Sequence, residues 1–385
     1  MENWVHFTLP TRIHFENNCL LNIGKFIRNF GGRALLINIR KENHTNEKLE
    51  ELKSVLSDIK DGCIVYEDLI ADPDTEQIDS ATYFAKKSHA DIIVAFGSID
   101  TFNTAKAVAL LAPNSFFASD LMDNDFIPKI NALPVITVPI EPSMGEEMNP
   151  GFSLVDAKTG RRKYFEHEML YPKAVFYDPL VSSYITSDRA SRIGGALLSY
   201  AIETTLSKLA NPITTTFSHK AIESLKKNII LFYNDPKNQK LAEVMMWNSA
   251  MIGASICGAP VGASWAIAMA LNTEAQIDFH YAISLVLPHV MEYFLTNSPG
   301  KYLNIARSLQ EDVSEISVIE AAIKAVEGVR KLFVDINLPS RLSEFDITKQ
   351  SISEIAETAL LLPQISNSPR FLNKNEIESI LLSAF

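Results

Sequence analysis

Asp91-Ile92-Ile93-Val94-Ala95, with the turn Phe96-Gly97-Ser98 behind it, decides how the first half of this chain is read. The run is short and apolar, stops at a glycine, and leads into a helical stretch through Lys106 to Leu111, the pattern of a strand feeding a helix. The same alternation extends to either side. Ala34 to Ile39 (ALLINI) follows Gly31-Gly32 as a strand, with helical spacing from Lys48 to Ile59. Cys63 to Tyr66 and Ile78 to His89 repeat the pair, and Pro134 to Val138 (PVITV) adds a further strand. Strands separated by helices predict a mostly parallel sheet, whose ligands sit at the carboxyl ends of the strands.

Past Asp178-Pro179 the period changes. Helical spacing runs through Ala190 to Leu209, Thr214 to Tyr233, Gln239 to Ala270, Tyr281 to Leu295, Val313 to Val334 and Ser351 to Leu361, with stop signals at Asn211-Pro212, Asp235-Pro236, Ser298-Pro299-Gly300 and Leu338-Pro339. The expectation is an α/β, Rossmann-like domain over residues 1–180 and an all-helical domain over 181–385. At 385 residues and 47% hydrophobic, the chain is long enough for two such cores.

Charge narrows the partners. A net charge of −11 argues against nucleic acid or an anionic membrane as the main partner, since phosphate binding draws on clustered Lys and Arg. Arg161-Arg162-Lys163 reads as a solvated loop. Cys19, Cys63 and Cys257 are odd in number and unrelated in spacing, which suits reduced thiols packed as small apolar residues. No apolar stretch reaches the ~20 residues of a membrane span, and the start of the chain has no signal pattern, so a soluble, cytoplasmic protein is expected.

Specific phrases carry more than the order of elements. Leu9-Pro10-Thr11-Arg12-Ile13 with Phe15, Ala71-Asp72-Pro73 with Thr75, Ala174 to Pro179 (AVFYDP), Gly194 to Glu203 (GGALLSYAIE), Lys208 to Pro212 (KLANP) and Asn367 to Phe371 (NSPRF) stand in this order along the whole chain. Together they resemble the landmarks of the iron-containing alcohol dehydrogenases, a family that also includes glycerol dehydrogenases. The resemblance implies the dehydroquinate synthase-like architecture: a dinucleotide-binding domain, a helical domain, and a deep cleft between them for cofactor, metal and substrate.

The family's metal is held by an Asp, a His four residues later on the same helix, and two more His fourteen apart. Spacing of i,i+4 puts two ligands on one helical face, and imidazole with carboxylate suits iron or zinc. The resemblance brings Ala196 and Tyr200 to the first two positions and Trp265 and Phe279 to the others. None of the four matches the ligand it replaces, so iron or zinc is not expected. Two aromatics and a methyl form an apolar plug instead. A slip of one residue would bring His280, with Asp278 nearby, to the last position only. The family's acid-base histidine falls at Met269, which has no proton to relay.

The cofactor positions are altered as well. Where the family has three glycines and a serine against the phosphates, this chain reads Gly97-Ser98-Ile99-Asp100, with Asn103, Ala105 and Lys106 behind. Ile99 is branched and Asp100 is an anion, while Gly97 alone also fits an ordinary strand-to-helix turn. The family's Thr-rich segment reads Pro139-Ile140-Glu141-Pro142-Ser143-Met144-Gly145-Glu146-Glu147. A carboxylate about 4 Å from a phosphate would repel it by up to ~4 kcal/mol at an effective dielectric near 20. Asn38, Ile39 and Arg40 stand where an acid would read the ribose. Arg40 suits a 2′-phosphate and hence NADP, or a solvated loop. Gly97, Ser98, Asn103, Gly145 and Arg40 are the candidate NAD(P) contacts.

Three readings follow. One is a catalytically silent relative kept for binding or regulation. A second is an NAD(P)-dependent alcohol or aldehyde oxidoreductase that works without metal or with a displaced one, with Tyr200, Glu203 and His280 as candidate acids. A third is a metal-free enzyme on a small molecule in the altered interdomain cleft, with Glu141, Glu146, Glu147 and Tyr200 as its acids. A homo-oligomer, most simply a dimer, is expected through a strand at Trp4 to Phe7.

Overall fold

The computed structural model describes residues 7–39, 47–123, 126–182 and 185–385. Arg40 and most of the Trp4 to Phe7 segment lie outside the described residues. The chain divides into a sheet unit, Pro10–Tyr184, and a helical unit whose bulk is Ile185–Phe385.

In the sheet unit the strands are β1 (Arg12–Phe15), β2 (Ala34–Ile37), β3 (Cys63–Tyr66), β4 (Ile92–Gly97), β5 (Val135–Pro139), β6 (Gly151–Val155), β7 (Arg162–Glu166) and β8 (Ala174–Tyr177). Six form one parallel sheet in the order β1-β8-β5-β4-β2-β3, and β6 pairs antiparallel with β7. The helices are α1 (Ile23–Ile27), α2 (Glu47–Ser57), α3 (Thr75–Lys87) and α4 (Ile99–Leu111). Leu36, Val94, Phe96 and Ile136 pack on one face with Ile23, Leu52 and Leu56. Leu35, Ile37, Ile93 and Ala95 pack on the other with Ala81, Phe102, Ala105 and Val108. Both faces are covered, which is why these strands read as apolar runs without alternation. β2 lies between β3 and β4, so the strand order reverses beside it, and the carboxyl ends of β2 and β4 flank the crevice such a reversal opens.

Two expectations in this half are revised. Arg162 and Lys163 belong to β7 rather than to a solvated loop, and only Arg161 of the three is exposed. The hairpin turns at Asp156 to Gly160, where Thr159 Oγ1 donates to Asp156 at 2.6 Å and Gly160 takes φ 69°. β1, β6, β7 and β8 add to the four strands expected from apolar runs. β1 and β7 carry charged residues within them, which breaks the apolar pattern.

The helical unit contains α5 (Ser187–Leu206), α6 (Pro212–Asn234), α7 (Gln239–Ile256), α8 (Ala263–Ala275), α9 (Phe279–Phe294), α10 (Pro299–Ser308), α11 (Val318–Asp335), α12 (Ile352–Leu361) and α13 (Lys374–Ser383). α5 is the hub, packed on α6, α7 and α9 and buried over nearly its whole length. The start of α11 is set by a capping box of Ser317 and Glu320, later than the periodicity from Val313 suggests. The single helix expected over Gln239 to Ala270 is two, because Gly258-Ala259-Pro260-Val261-Gly262 interrupts it. Pro260 has no N–H to continue the ladder, and the new helix begins where a buried carboxylate receives its first N–H groups.

Candidate functional site

Two glycines seat α5. A Cβ on Gly194 would lie 2.6 Å from Ile229 Cγ1, and one on Gly195 would lie 2.5 Å from both Leu338 and Ser284. Close approach to α6 and α9 therefore fixes the rotation of α5. Ala196 and Tyr200, one turn apart, share a buried face of it. Trp265 lies in the first turn of α8, and its indole Nε1–H donates to Tyr200 Oη at 2.8 Å. Phe279, the first residue of α9, stands edge-on to both, with ring centroids 6.3 Å from Tyr200 and 6.2 Å from Trp265. Three of the four residues that the resemblance set at ligand positions thus touch one another. Met269 is buried one turn beyond Trp265 on α8.

Glu203, one helical turn past Tyr200, is not a free acid. Its carboxylate accepts from the backbone N–H of Gly262 at 2.6 Å, Ser264 at 3.1 Å and Trp265 at 3.4 Å. These are the donors that α8 cannot satisfy internally, so Glu203 serves as the cap of that helix. Burial pushes its pKa up, against the backbone hydrogen bonds that hold it down. Trp265 joins the two features: its backbone N–H faces Glu203 and its indole N–H faces Tyr200.

His280 is buried and turned to a different set of partners. Its Nδ1 lies 3.3 Å from Asp278 Oδ1, and its ring centroid is 6.1 Å from that of Phe279. Asp278 caps α9 by accepting from the N–H of His280 at 2.9 Å and Tyr281 at 3.4 Å, and it meets Arg192 at 3.2 Å. Burial opposes the Asp278 anion, but His280, Arg189 and Arg192 outweigh it and hold the carboxyl well below the usual range. Arg192 also pairs with Asp188, to which Tyr281 Oη donates at 2.6 Å. Among the described residues no group of three or more His, Cys, Asp or Glu is arranged to hold a metal ion.

The candidate cofactor residues of the sheet unit are engaged internally. Gly97 ends β4, and a Cβ there would lie 2.2 Å from Thr101 Oγ1, so the side chain of α4's first turn closes over it. Ser98 precedes α4 without a capping hydrogen bond from its side chain. Asp100 Oδ2 accepts from the backbone N–H of Asp72 at 2.9 Å. Asn103 is buried and donates to Ser153 Oγ at 3.4 Å. Lys106, fully buried, donates to Glu146 O at 2.7 Å, Asn149 Oδ1 at 3.0 Å and Gly151 O at 2.7 Å. Gly145 takes φ 98°, a reason for glycine that needs no ligand. Glu147 is buried and accepts from Tyr177 Oη and, at 2.7 Å, from Ser143 Oγ, while Glu141 is half-buried. Asn38, following β2, is wholly buried, and its amide meets no partner among the described residues.

A unit built on a six-stranded parallel sheet followed by a helical unit agrees with direct comparison. The chain belongs to the iron-containing alcohol dehydrogenase family: residues 10–179 match the model for iron-containing alcohol dehydrogenase, and residues 194–385 match the family's C-terminal model. It is 25% identical over 387 residues to 1,3-propanediol dehydrogenase of Citrobacter freundii, covering 98% of each chain. To sulfoacetaldehyde reductase of Bilophila wadsworthia it is 26% identical over 329 residues, covering 83% of this chain and 84% of that one. The fold superposes on the crystal structure of a 1,3-propanediol oxidoreductase with TM-score 0.92 at 22% identity, covering 99% of this chain and 100% of that one. It superposes on the alcohol dehydrogenase from Oenococcus oeni with TM-score 0.93 at 20% identity, with the same coverage.

The residues that the resemblance sets at the metal positions do not fit the family's ion, and those at the cofactor positions fit a dinucleotide only in part. A methyl, an indole, a phenyl ring and a phenol that accepts the indole proton include no imidazole, carboxylate or thiolate, the side chains from which iron and zinc sites are ordinarily built. For the dinucleotide the two halves of the seat disagree. The unpartnered Asn38 amide suits a ligand hydroxyl, whereas the start of α4 holds the chain's own carboxylate.

Proposed function

We propose that this chain keeps the fold of its family for binding or regulation and does not carry out metal-dependent hydride transfer. The observation that carries this reading is the buried hydrogen bond from Trp265 to Tyr200, packed against Phe279. The indole offers a divalent ion no lone pair, and the phenol oxygen is already taken as the acceptor of the indole N–H. The reading also agrees with Met269 standing where the family's proton relay is expected, and with Glu203 serving a helix end. Purified protein incubated anaerobically with Fe(II) or Zn(II) and desalted should retain far less than one ion per chain. It should then oxidise NADH and NADPH with aldehydes no faster than a blank. Stoichiometric metal together with metal-dependent turnover would defeat the proposal.

A second reading, an alcohol or aldehyde oxidoreductase without metal, is favoured by one observation. His280 Nδ1 lies 3.3 Å from Asp278 Oδ1, near enough for the carboxylate to stabilise a protonated ring. Relatives named 1,3-propanediol dehydrogenase and sulfoacetaldehyde reductase suggest 3-hydroxypropionaldehyde and sulfoacetaldehyde as first substrates. Turnover of either in the presence of EDTA, abolished in a His280→Ala variant that retains its fold, would favour this reading over the first. Self-association as a homodimer accompanies both, and light scattering tests it.

A further inference from the structure

We infer that the first turn of α4 has exchanged a ligand's phosphate for a carboxylate of the chain itself, Asp100, so that the sheet unit does not take a dinucleotide by its pyrophosphate. A helix of 13 residues presents unpaired N–H groups and partial positive charge at its start, and an anion placed there is stabilised. Ser98 leaves those groups uncapped by its side chain, and Asp100 is the acid of the first turn.

A second and independent set of contacts holds Asp100 in place. Its Oδ2 receives the N–H of Asp72, a residue at φ 51° just ahead of α3. The Asp72 carboxylate is gripped through both oxygens at 2.6 Å by Arg162 of β7, whose side chain is only 5% exposed. Arg162 also donates to Ser153 Oγ of β6 at 3.3 Å, the atom that receives Asn103 of α4. The contacts close a ring from α4 through the Asp72 turn and the β6–β7 hairpin back to α4.

A pyrophosphate entering this seat would meet Asp100 and Asp72 with the neighbouring cation already bound to one of them. It would also meet the branched Ile99 beside Gly97, over which Thr101 has closed. Charge and shape oppose it together. The inference concerns the sheet unit alone and stands or falls separately from the proposal for the helical unit.

Calorimetric titration of the full chain with NADH and with inorganic pyrophosphate tests it. Wild type should show no saturable binding of either up to millimolar concentration. An Ile99→Gly/Asp100→Ser variant should bind both more tightly, by at least about tenfold, or ~1.4 kcal/mol. The nearly isosteric Asp100→Asn, which removes the charge and keeps an acceptor for Asp72, guards against a double variant that does not fold, and should also gain. Micromolar binding of NADH by wild type overturns the inference. So does a folded Asp100→Asn that gains nothing for pyrophosphate.

Discussion

At Tyr200 the helical unit is closed by packing, whereas at Asp100 the sheet unit is closed by charge. In the first place an indole, a phenol and a phenyl ring fill one another's contacts, with a single hydrogen bond between them. In the second a carboxylate, a turn N–H, a second carboxylate and a guanidinium form a ring at the half-exposed start of a helix. Packing closure is spread over several large side chains and is defended by the stability of the whole unit. Charge closure depends on one ionised group and yields to one substitution. The two regions should therefore answer mutation in opposite ways, the first in stability and the second in ligand affinity.

Trp265→Ala should produce the largest effect. It removes a buried indole from α8, and losses of this kind destabilise by ~3–5 kcal/mol. Urea unfolding followed by circular dichroism measures it. A loss below about 1 kcal/mol, under the usual range for buried large-to-small changes, would mean that the aromatic contacts are loose and the contrast with Asp100 is false.

Tyr200→Phe and Glu203→Gln should each come next, at ~1–3 kcal/mol, because each leaves a buried donor with a poorer partner or none. Both act on Trp265, one on its side chain and one on its backbone. The double variant should then fall short of the sum of the singles if the three residues behave as a unit. Glu203 adds a pH signature. Burial raises its pKa in the folded chain, so the folded state holds its proton more tightly than the unfolded state. Its contribution to stability must fall as pH rises from the ordinary glutamate value through the raised one. The stability gap between wild type and Glu203→Gln should narrow as pH rises through that window, and a constant gap would show that the fold does not hold the Glu203 proton more tightly.

Much of this was legible in the sequence, and the limits have physical causes. Apolar runs buried on both faces announce themselves, as Leu35 and Val94 show; Gly194, Leu198 and Ala201-Ile202-Glu203 set the register that points to Ala196 and Tyr200, and counting back from Leu287-Pro288 points to Phe279 and Trp265. The interruption between α7 and α8 was written in Gly258, Pro260 and Gly262, but the apolar period on either side hid it. Side-chain partners across long separations carried no such signal. Arg162 stands among cations and so reads as solvated, yet on β7 its side chain is only 5% exposed and meets Asp72. The meeting of Asp72 with Asp100 depends on a backbone at φ 51°, which the residue types alone do not announce.

Asp100→Asn should change stability little, by ~0.3–1 kcal/mol at most, the size of a charge at a helix end, while its effect on ligands is the one described above.

Asp278→Asn should have the smallest effect, one present at neutral pH and lost in strong acid. Against burial, His280 and the arginines depress the folded-state pKa of Asp278, so the unfolded state binds its proton more readily. The resulting stability is fully present above the ordinary aspartate value and is lost as pH falls from there through the depressed one. A third of the Asp278 side chain remains exposed, and solvent screening keeps the contribution modest. The variant should therefore lose stability by a similar amount from neutral pH down to the ordinary aspartate value and converge with wild type only in stronger acid, as read from urea midpoints at a series of pH values. Convergence already at neutral pH would show that Asp278 acts only through the hydrogen bonds that asparagine can replace. His280 would then lack a charged partner, and the metal-free reading of this corner would lose its one support.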